Sequence, residues 1–149
     1  MNEPWFQEGL RFQCTGCGGC CTGSPGYVFL SEPDLDALTR HLQCDRDAFI
    51  RTYARQVDTQ LALIEDPVNY DCVFLKDKRC SVYEARPVQC RTFPWWIQHL
   101  REPTDWQAAK ERCEGIDHPD APVVASDTIA EQCLIYLDNL VAQHFIYEQ

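Results

Sequence analysis

The sequence predicts a small, helix-rich α+β fold with irregular cysteine loops, a short β-hairpin and a long C-terminal helix. Four cysteines fall within "CTGCGGCC" at residues 14–21. Apolar residues recur at helical spacing in the middle of the chain and near its end, and short strand-like runs lie between them. With 149 residues, 45% of them hydrophobic, the chain can bury one core. We therefore expect a single domain over residues 1–149, with a cysteine-cluster region at 10–118 and a C-terminal helix at 126–147 packed on it.

The first elements follow from glycine content and helix-start signals. Six of the 7 glycines lie in the first 26 residues, which indicates a tightly curled loop. The stretch "SEPDLDALTRHL" at 31–42 predicts a helix, because Ser31 and Asp34 form a capping-box pattern with Pro33 in the first turn. A second short helix is expected after Asp45, its candidate N-cap, with Phe49 and Tyr53 on one face.

The central part of the chain favours strands. Residues 57–64, "VDTQLALI", and 72–75, "CVFL", are apolar or alternating and are flanked by Asp, Asn and Pro. We expect the "KDKR" segment between Cys72 and Cys80 to form the exposed tip of a hairpin. One or two helical turns are expected around Tyr83 to Arg86, where Pro87 prevents a longer helix.

Two further helices are predicted towards the C-terminus. Thr104 and Gln107 form a second capping-box pattern, which favours a helix through Cys113. The longest helix is expected near the end of the chain, where seven residues form one stripe. These residues are Ile129, Cys133, Leu137, Leu140, Val141, His144 and Phe145.

Charge and hydropathy exclude several classes of partner. The formal charge of −10, from 23 acidic and 13 basic residues, repels phosphate backbones and anionic lipid. We therefore expect no nucleic-acid and no membrane partner. The first residues carry neither the basic start nor the apolar run of a secretory signal, and no apolar run could span a bilayer, so a cytoplasmic location is expected. A protein partner remains open, and the sequence does not predict the oligomeric state.

The 10 cysteines are the residues most indicative of function. In a reducing compartment, clustered cysteines are more often metal ligands or redox groups than structural disulfides. A C-x-x-C loop brings two thiolates onto one ion, and Cys14, Cys17 and Cys20 form that spacing twice. We therefore predict that residues 10–118 form a metal-binding region with one or two centres. The candidate ligands are Cys14, Cys17, Cys20, Cys21, Cys72, Cys80, Cys90 and Cys113.

The remaining candidates carry less weight. Cys44 and Cys133 are interpreted as core or incidental cysteines, because Cys44 lies beyond a predicted helix end and Cys133 lies on the apolar stripe of the last helix. His118, five residues after Cys113, is the one histidine worth testing as a ligand. Arg86, followed by Pro87, has two equal interpretations: part of a turn, or a group that offsets thiolate charge or binds an anionic substrate.

Two metals fit this set of ligands. Four thiolates suit structural zinc, whereas C-x-x-C-x-x-C with a distant cysteine near proline resembles the ligand pattern of 4Fe-4S ferredoxins. Here the distant cysteine is Cys90 in "CRTFP", whose proline comes four positions later. Aromatic residues close to the cysteines would shield a cluster from water and oxygen. We therefore favour an iron-sulfur cluster or iron, with zinc as the alternative.

The motifs resemble those of the YkgJ-type cysteine-cluster family, which is described as zinc- or iron-chelating. "CTGCGGCC" is similar to the family's opening C-x-x-C-x-x-C-C, "CSVYEARPVQCRTFPWW" to its second signature, and "CEGI" to its C-x-G-I element. The resemblance covers roughly residues 10–118 and implies the ligand set above, with Cys72 added by position. A relative, the flagellin lysine N-methylase, implies that such a domain can belong to a methyl-transfer enzyme. The present chain has no recognisable adenosyl-cofactor motif.

Three functions follow as hypotheses. The leading one is a metal-binding protein whose cysteine loops are ordered by one or two centres. The alternative is an iron-dependent enzyme, or an electron-transfer or accessory protein that assists modification of a partner protein, as in methylation. The third is metal delivery. Whether the protein is an enzyme stays open at this point.

Overall fold

The computed structural model describes residues 3–15 and 27–143, and this part of the chain has the predicted helix-rich α+β fold. Three two-stranded antiparallel sheets pair β1 with β6, β2 with β3, and β4 with β5. The strands are β1 (Leu10–Arg11), β2 (Ala54–Val57), β3 (Gln60–Leu63), β4 (Leu75–Lys76), β5 (Arg79–Cys80) and β6 (Val123–Val124). The helices are α1 (Glu32–Leu42), α2 (Arg46–Tyr53), α3 (Val88–Thr92), α4 (Ile97–Leu100), α5 (Pro103–Lys110) and α6 (Ser126–Gln143), with a 3₁₀ turn at Tyr83–Ala85.

The first two helices begin where the sequence predicts. At the start of α1, the Ser31 hydroxyl accepts the N–H of Asp34, and the Asp34 carboxylate accepts the N–H of Ser31, so the capping box is confirmed. The helix ends at Gln43, which adopts a left-handed conformation with φ of 54°. Asp45 caps α2 by accepting the N–H of Ala48, as expected.

The first predicted strand is part of a hairpin. Residues 54–57 pair with residues 60–63, and the turn between them includes Asp58 with φ of 54°. The prediction of one continuous strand over 57–64 is therefore wrong. The chain reverses direction in a turn at Asp58 and Thr59, which divides the predicted strand. The strand before this turn, β2, contains polar residues that hide the alternation of apolar and polar positions.

The second predicted strand, 72–75, is also shorter than expected. Cys72 forms a single bridge with Glu65, and regular pairing begins only at Leu75. The hairpin tip is confirmed, because Asp77 and Lys78 connect β4 to β5 with φ of 51° and 66°. Two consecutive left-handed residues form the turn that matches the twist of a two-residue hairpin.

Helix α5 corrects the prediction of a capping box at Thr104. Pro103 occupies the first turn, so the helix starts after Glu102, which makes no side-chain capping bond. Gln107 instead donates to the Asp117 carboxylate at 3.2 Å. The helix also ends at Lys110, before Cys113. The predicted helical turns after Tyr83 are confirmed as a single 3₁₀ turn.

Helix α6 is the longest, as predicted, but it does not bury the whole predicted stripe. Val141 is 61% exposed, and Asn139 and Gln143 are buried in its place. At 3.6 residues per turn, Val141 stands roughly 120° around the helix from Ile129, outside the buried face. His144 and Phe145, and the predicted extension to residue 147, lie outside the described residues. No helix in the described part of the chain has the length and apolar character to cross a membrane.

The buried side chains form two clusters. The first core contains α1, α2, the β2–β3 hairpin and the segment around Phe74 and Val82. The second core contains β1, the aromatic segment after α3, α5 and α6. In the second core, Trp95 stacks on Trp106 with ring centroids 5.3 Å apart. The N-terminal segment therefore belongs to the second core, whereas the chain from Leu30 to Val82 builds the first.

Two long-range hydrogen bonds connect these parts of the molecule. The buried Asp34 carboxylate of α1 accepts the N–H of Val88 at the start of α3, with an O···N distance of 2.9 Å. The side-chain amide of Gln143, at the end of α6, donates to the carbonyl of Phe29 at 3.2 Å. Helix α3 is thereby fixed against the first core, and α6 reaches the same face.

Candidate metal centre

The described residues contain five of the eight predicted ligands. Cys17, Cys20 and Cys21 lie outside them, in the segment 16–26. The remaining five lie at three places: next to the second core, on α3, and against the first core. These are Cys14, Cys113, Cys90, Cys72 and Cys80.

Cys14 and Cys113 lie on two chain segments that run side by side. Phe12 forms an antiparallel bridge with Ile116, and the N–H of Gln13 donates to the carbonyl of Gly115 at 3.2 Å. The next contact outward joins the Thr15 hydroxyl to the Glu114 carboxylate at 2.5 Å. Cys14 and Cys113 therefore lie on the two paired segments, close to the point where the chain enters segment 16–26.

Glycine is required at position 115 for this close approach. A Cβ atom there would lie 2.1 Å from the carbonyl oxygen of Gln13, well below any van der Waals contact. The "CEGI" motif thus gains a physical explanation, because its glycine lets the chain after Cys113 pair with the chain before Cys14. The chain then turns at Asp117, whose φ is 56°. The indole N–H of Trp106 donates to the Asp117 carboxylate at 3.1 Å and holds this turn in place.

The exit of segment 16–26 is held against α3. The Gln89 side chain donates to the carbonyl of Tyr27 at 2.8 Å and accepts the N–H of Phe29 at 3.1 Å. The Gln89 amide thus binds both a backbone carbonyl and a backbone N–H of the chain that follows segment 16–26. Since Cys90 is the next residue after Gln89, the exit of the segment is attached directly beside a half-buried predicted ligand.

Asp34 sets the position of α3. One carboxylate oxygen accepts the N–H of Val88, and the other accepts the N–H of Ser31 at 3.0 Å. Burial raises the pKa of Asp34 above the ordinary value for aspartate, and these hydrogen bonds only partly oppose that effect. A buried carboxylate with two backbone donors therefore fixes the helix that carries Cys90.

Cys72 and Cys80 lie against the first core. Cys72 accepts the N–H of Leu75 through its carbonyl at 2.8 Å, and Cys80 pairs with Leu75 across the β4–β5 hairpin. Both are half-buried and pack on the first core. The hairpin thus carries two predicted ligands, one before its first strand and one at the end of its second.

The described residues alone do not complete a metal site. Across 3–15 and 27–143, no three histidine, cysteine, aspartate or glutamate side chains are grouped closely enough to hold an ion. Three of the eight predicted ligands belong to segment 16–26, whose two ends are anchored beside Cys113 and Cys90. The candidate donors are all thiols, a set that fits zinc or an iron-sulfur cluster and does not suit magnesium or calcium.

The residues set aside at the sequence level have other contacts. Cys133 is buried in the second core, where burial raises the pKa of its thiol, and Cys44 packs against the first core. The ring of His118 accepts the N–H of Asp120 at 3.1 Å through Nδ1. That nitrogen is occupied in a local turn.

An aromatic cluster adjoins α3. The indole of Trp96 stacks on His99 and on Tyr136, with centroid distances of 5.4 and 5.2 Å, and Phe93 contacts Trp96 edge-on. Burial lowers the pKa of His99, and the charge of Arg112 acts in the same direction. The Nε2 atom of His99 is buried without a hydrogen-bond partner in the described part of the chain. The first residue of this cluster, Phe93, comes three positions after Cys90 in the sequence.

Sequence reasoning did not identify Gln89 and Gly115 as positioning residues. Gln89 makes contacts 60 and 62 residues away along the chain, and nothing in its local pattern predicts them. Gly115 lies within the recognised "CEGI" motif, which could have indicated a close approach of two backbones.

Comparisons with known proteins agree with the cysteine pattern. The chain is 27% identical over 95 residues to Uncharacterized protein MJ0661 of Methanocaldococcus jannaschii, covering 62% of this chain and 50% of that protein. The chain thus spans about half the length of the curated relative it matches. No solved structure matches it. A family model named CxxCxxCC and described as "Putative zinc- or iron-chelating domain" matches residues 13–114. The chain therefore belongs to the CxxCxxCC family of zinc- or iron-chelating domains.

Proposed function

We propose that this protein binds one or two iron-sulfur or iron centres through thiolates from remote parts of the chain, with zinc as the alternative metal. The proposed ligands are Cys14, Cys17, Cys20, Cys21, Cys72, Cys80, Cys90 and Cys113. Once bound, such a centre supplies either a cross-link between segments or, if it is iron-sulfur, a site for one-electron chemistry. The protein supplies the thiolates, their spacing and the apolar surroundings.

One observation carries the proposal: the two ends of segment 16–26 are anchored beside two other predicted ligands. The Gln13–Gly115 bond holds the entry next to Cys113, and the Gln89 amide holds the exit next to Cys90. A segment with three cysteines is thereby joined to thiols that lie 69 or more positions away in the sequence. Cysteines without a common role would need no such arrangement.

The surroundings favour iron-sulfur over zinc. The Phe12 ring packs edge-on against Trp95 with centroids 5.5 Å apart, two residues from Cys14. Phe93 and Trp96 follow Cys90 and form a second aromatic contact. Apolar rings exclude water from a centre and thereby set its potential, which matters for a redox cluster more than for closed zinc.

A second candidate is electron transfer, or an iron-dependent step in the modification of a partner protein. Cys14 is exposed, so a centre bound through it would lie near the molecular surface. A surface centre can exchange electrons with a partner or admit a substrate, whereas a structural metal needs neither. Metal delivery, the third candidate, requires in addition that the metal exchanges readily.

The experiment that tests the proposal is anaerobic purification of the chain, followed by metal analysis, acid-labile sulfide measurement and a visible spectrum. Iron with stoichiometric sulfide and a brown colour would support the iron-sulfur assignment. Colourless protein with zinc in whole-number ratio would support the alternative metal. Variable and exchangeable metal content would indicate delivery, and protein that binds none of these metals would contradict the proposal.

A further inference from the structure

A half-open groove between α1 and α3 has no role in the proposed metal site. Its volume is about 290 Å³, at the small end of ligand pockets. Small apolar side chains form part of the wall, among them Pro33, Ala37, Ala85 and Val88. The same groove is lined by Arg86 and Arg91, so an apolar surface and two guanidinium groups meet in one place.

The orientation of Arg86 is fixed by contacts within its own turn. Its guanidinium lies over the Tyr83 ring, 3.7 Å from the centroid, and Nε donates to the Tyr83 carbonyl at 2.9 Å. Stacking and the Nε bond leave the two terminal nitrogens to face other groups. A guanidinium held in this way loses less conformational entropy when it binds a planar anion.

Neither arginine of the groove forms a salt bridge within the described residues, although the charge of Arg91 acts on the Asp34 carboxyl. The ion pairs found there join Arg46 to Glu32 and Arg55 to Glu65. Asp34 lies in the wall of the groove, but its two oxygens accept the backbone N–H groups of Ser31 and Val88. Glu84 is the remaining acidic side chain of the lining, and it is exposed.

We propose that this groove binds a short aliphatic carboxylate, free or presented by a peptide, through Arg86 and Arg91. A carboxylate matches the planar, two-pronged geometry of guanidinium, and its alkyl part matches the small apolar residues of the wall. A singly charged ligand is favoured over phosphate. The two arginines are formally balanced by Asp34 and Glu84, and the whole chain carries a charge of −10.

The groove borders the helix that carries Cys90, and none of the proposed metal ligands lines it. Arg91 follows Cys90 on α3, and Arg86 lies between Cys80 and Cys90 in the sequence. A carboxylate bound here would contact the helix that carries Cys90. The proposal does not depend on the identity of the metal, and a failure to bind carboxylate would leave the proposed metal function unaffected.

The test is a titration of the isotope-labelled, metal-containing protein with sodium propionate, followed by backbone amide chemical shifts at constant ionic strength. Shifts should concentrate at the groove residues of α1, the 3₁₀ turn and α3. Arg86→Gln and Arg91→Gln should each weaken binding roughly tenfold, as expected when one charged hydrogen-bonding partner is lost. Glu84→Gln should tighten it, because a competing negative charge is removed.

Arg40→Gln is the matched control. Arg40 is an exposed residue of α1 outside the groove, and the variant changes the net charge as much as Arg86→Gln does. It should bind propionate like the unaltered protein. If Arg86→Gln does not fold, Arg86→Lys replaces it in the test. Lysine keeps the positive charge but lacks the two parallel N–H donors of guanidinium, so an intermediate affinity for propionate is expected.

Further probes separate the two sources of the ligand. Tighter binding of N-acetylglutamate amide than of propionate would assign the groove to an acidic side chain of a partner protein, and the reverse order to a free acid. Both results support a carboxylate site. The proposal is overturned if propionate produces no shifts in the groove, if Arg86→Gln binds like the control, or if inorganic phosphate binds more tightly than either carboxylate.

Discussion

The environment of Asp34 differs from that of an ordinary aspartate in water. It is buried, and each of its oxygens accepts a different backbone N–H. One bond belongs to the local cap of α1, and the other spans 54 residues to α3. The sequence predicts the first bond because Ser31 and Asp34 have capping-box spacing. The sequence cannot predict the second bond, because its donor is the backbone N–H of Val88, which every residue except proline carries.

Replacing Asp34 by asparagine should destabilise the protein by about 1–3 kcal/mol. The amide keeps one acceptor oxygen but places an NH₂ group against a backbone N–H, so one buried donor loses its partner. The midpoint of urea unfolding measures the effect. Asp36→Asn, at an exposed position on the same helix, is the matched control and should change stability by less than about 0.5 kcal/mol. Equal effects of the two variants would show that the bond to Val88 is unimportant.

The Asp34 carboxyl should titrate above the ordinary aspartate range. Its pKa is raised because burial disfavours the charged form. The folded state therefore binds this proton more tightly than the unfolded state does. The resulting stabilisation is complete below the unfolded pKa and is lost as pH rises through the folded pKa. A carboxyl carbon NMR titration measures the value directly, and a midpoint at or below the ordinary aspartate range would contradict the assignment.

Helix α3 makes several long-range connections although it is short. It covers only Val88–Thr92, yet it receives Asp34 from α1, binds the returning chain through Gln89 and carries Cys90. The Trp96 indole also donates to the Gln89 carbonyl at 3.0 Å. A helix this short has little intrinsic stability, so these tertiary contacts must hold it. The segment with Cys90 is thereby kept in a defined place.

Gln89→Ala should weaken metal binding about 10–100-fold, the range seen when groups that orient metal ligands are removed. The variant detaches the chain at Tyr27 and Phe29 from α3 but leaves every cysteine in place. Competition with a chelator of known affinity measures the loss. Gln56→Ala is the control, because the Gln56 side chain donates within its own turn, to the carbonyl of Asp58. Unchanged metal affinity in Gln89→Ala would remove this residue from the site.

At the scale of elements, the sequence predicts those features that depend on contacts between neighbouring residues. The caps of α1 and α2 and the tip of the β4–β5 hairpin depend on neighbouring residues, and all three were predicted correctly. The start of α5 was wrong because Pro103 and Thr104 both carry start signals and the proline prevails. The buried polar residues of α6, such as Gln143, depend on a distant partner at Phe29 and left no local signal.

At the scale of the whole molecule, the two cores are built from different parts of the chain. The first core takes residues between Leu30 and Val82, and the second combines the N-terminal segment with residues after α3. Phe12, before segment 16–26, packs on the second core, and Val28, after it, packs on the first core. Predicted ligands lie against both cores, so a shared metal would connect them. The sequence predicts the ligand types from spacing alone, but not which core carries each one.

Removal of the metal should loosen the cysteine-bearing regions selectively. Residues 10–30 and 72–115 carry all eight proposed ligands, so metal-binding free energy would contribute directly to their order. We expect chelation, or Cys17→Ser, to raise hydrogen exchange there, while the amides of α6 stay protected. Cys133→Ser provides a comparison, since that thiol lies in the second core and is not a proposed ligand. Loop protection that does not change on chelation would show that the metal has no structural role.

The most direct test of a shared metal centre is X-ray absorption at the edge of the metal that co-purifies with the chain. A shared centre should show a first shell of sulfur, about four atoms per metal at roughly 2.3 Å, as thiolate or sulfide ligation requires. Cys14→Ser and Cys90→Ser should each reduce the sulfur count or the bound metal, because their segments lie at opposite ends of segment 16–26. A first shell of oxygen and nitrogen, unchanged in both variants, would contradict the claim that these remote cysteines meet at one metal.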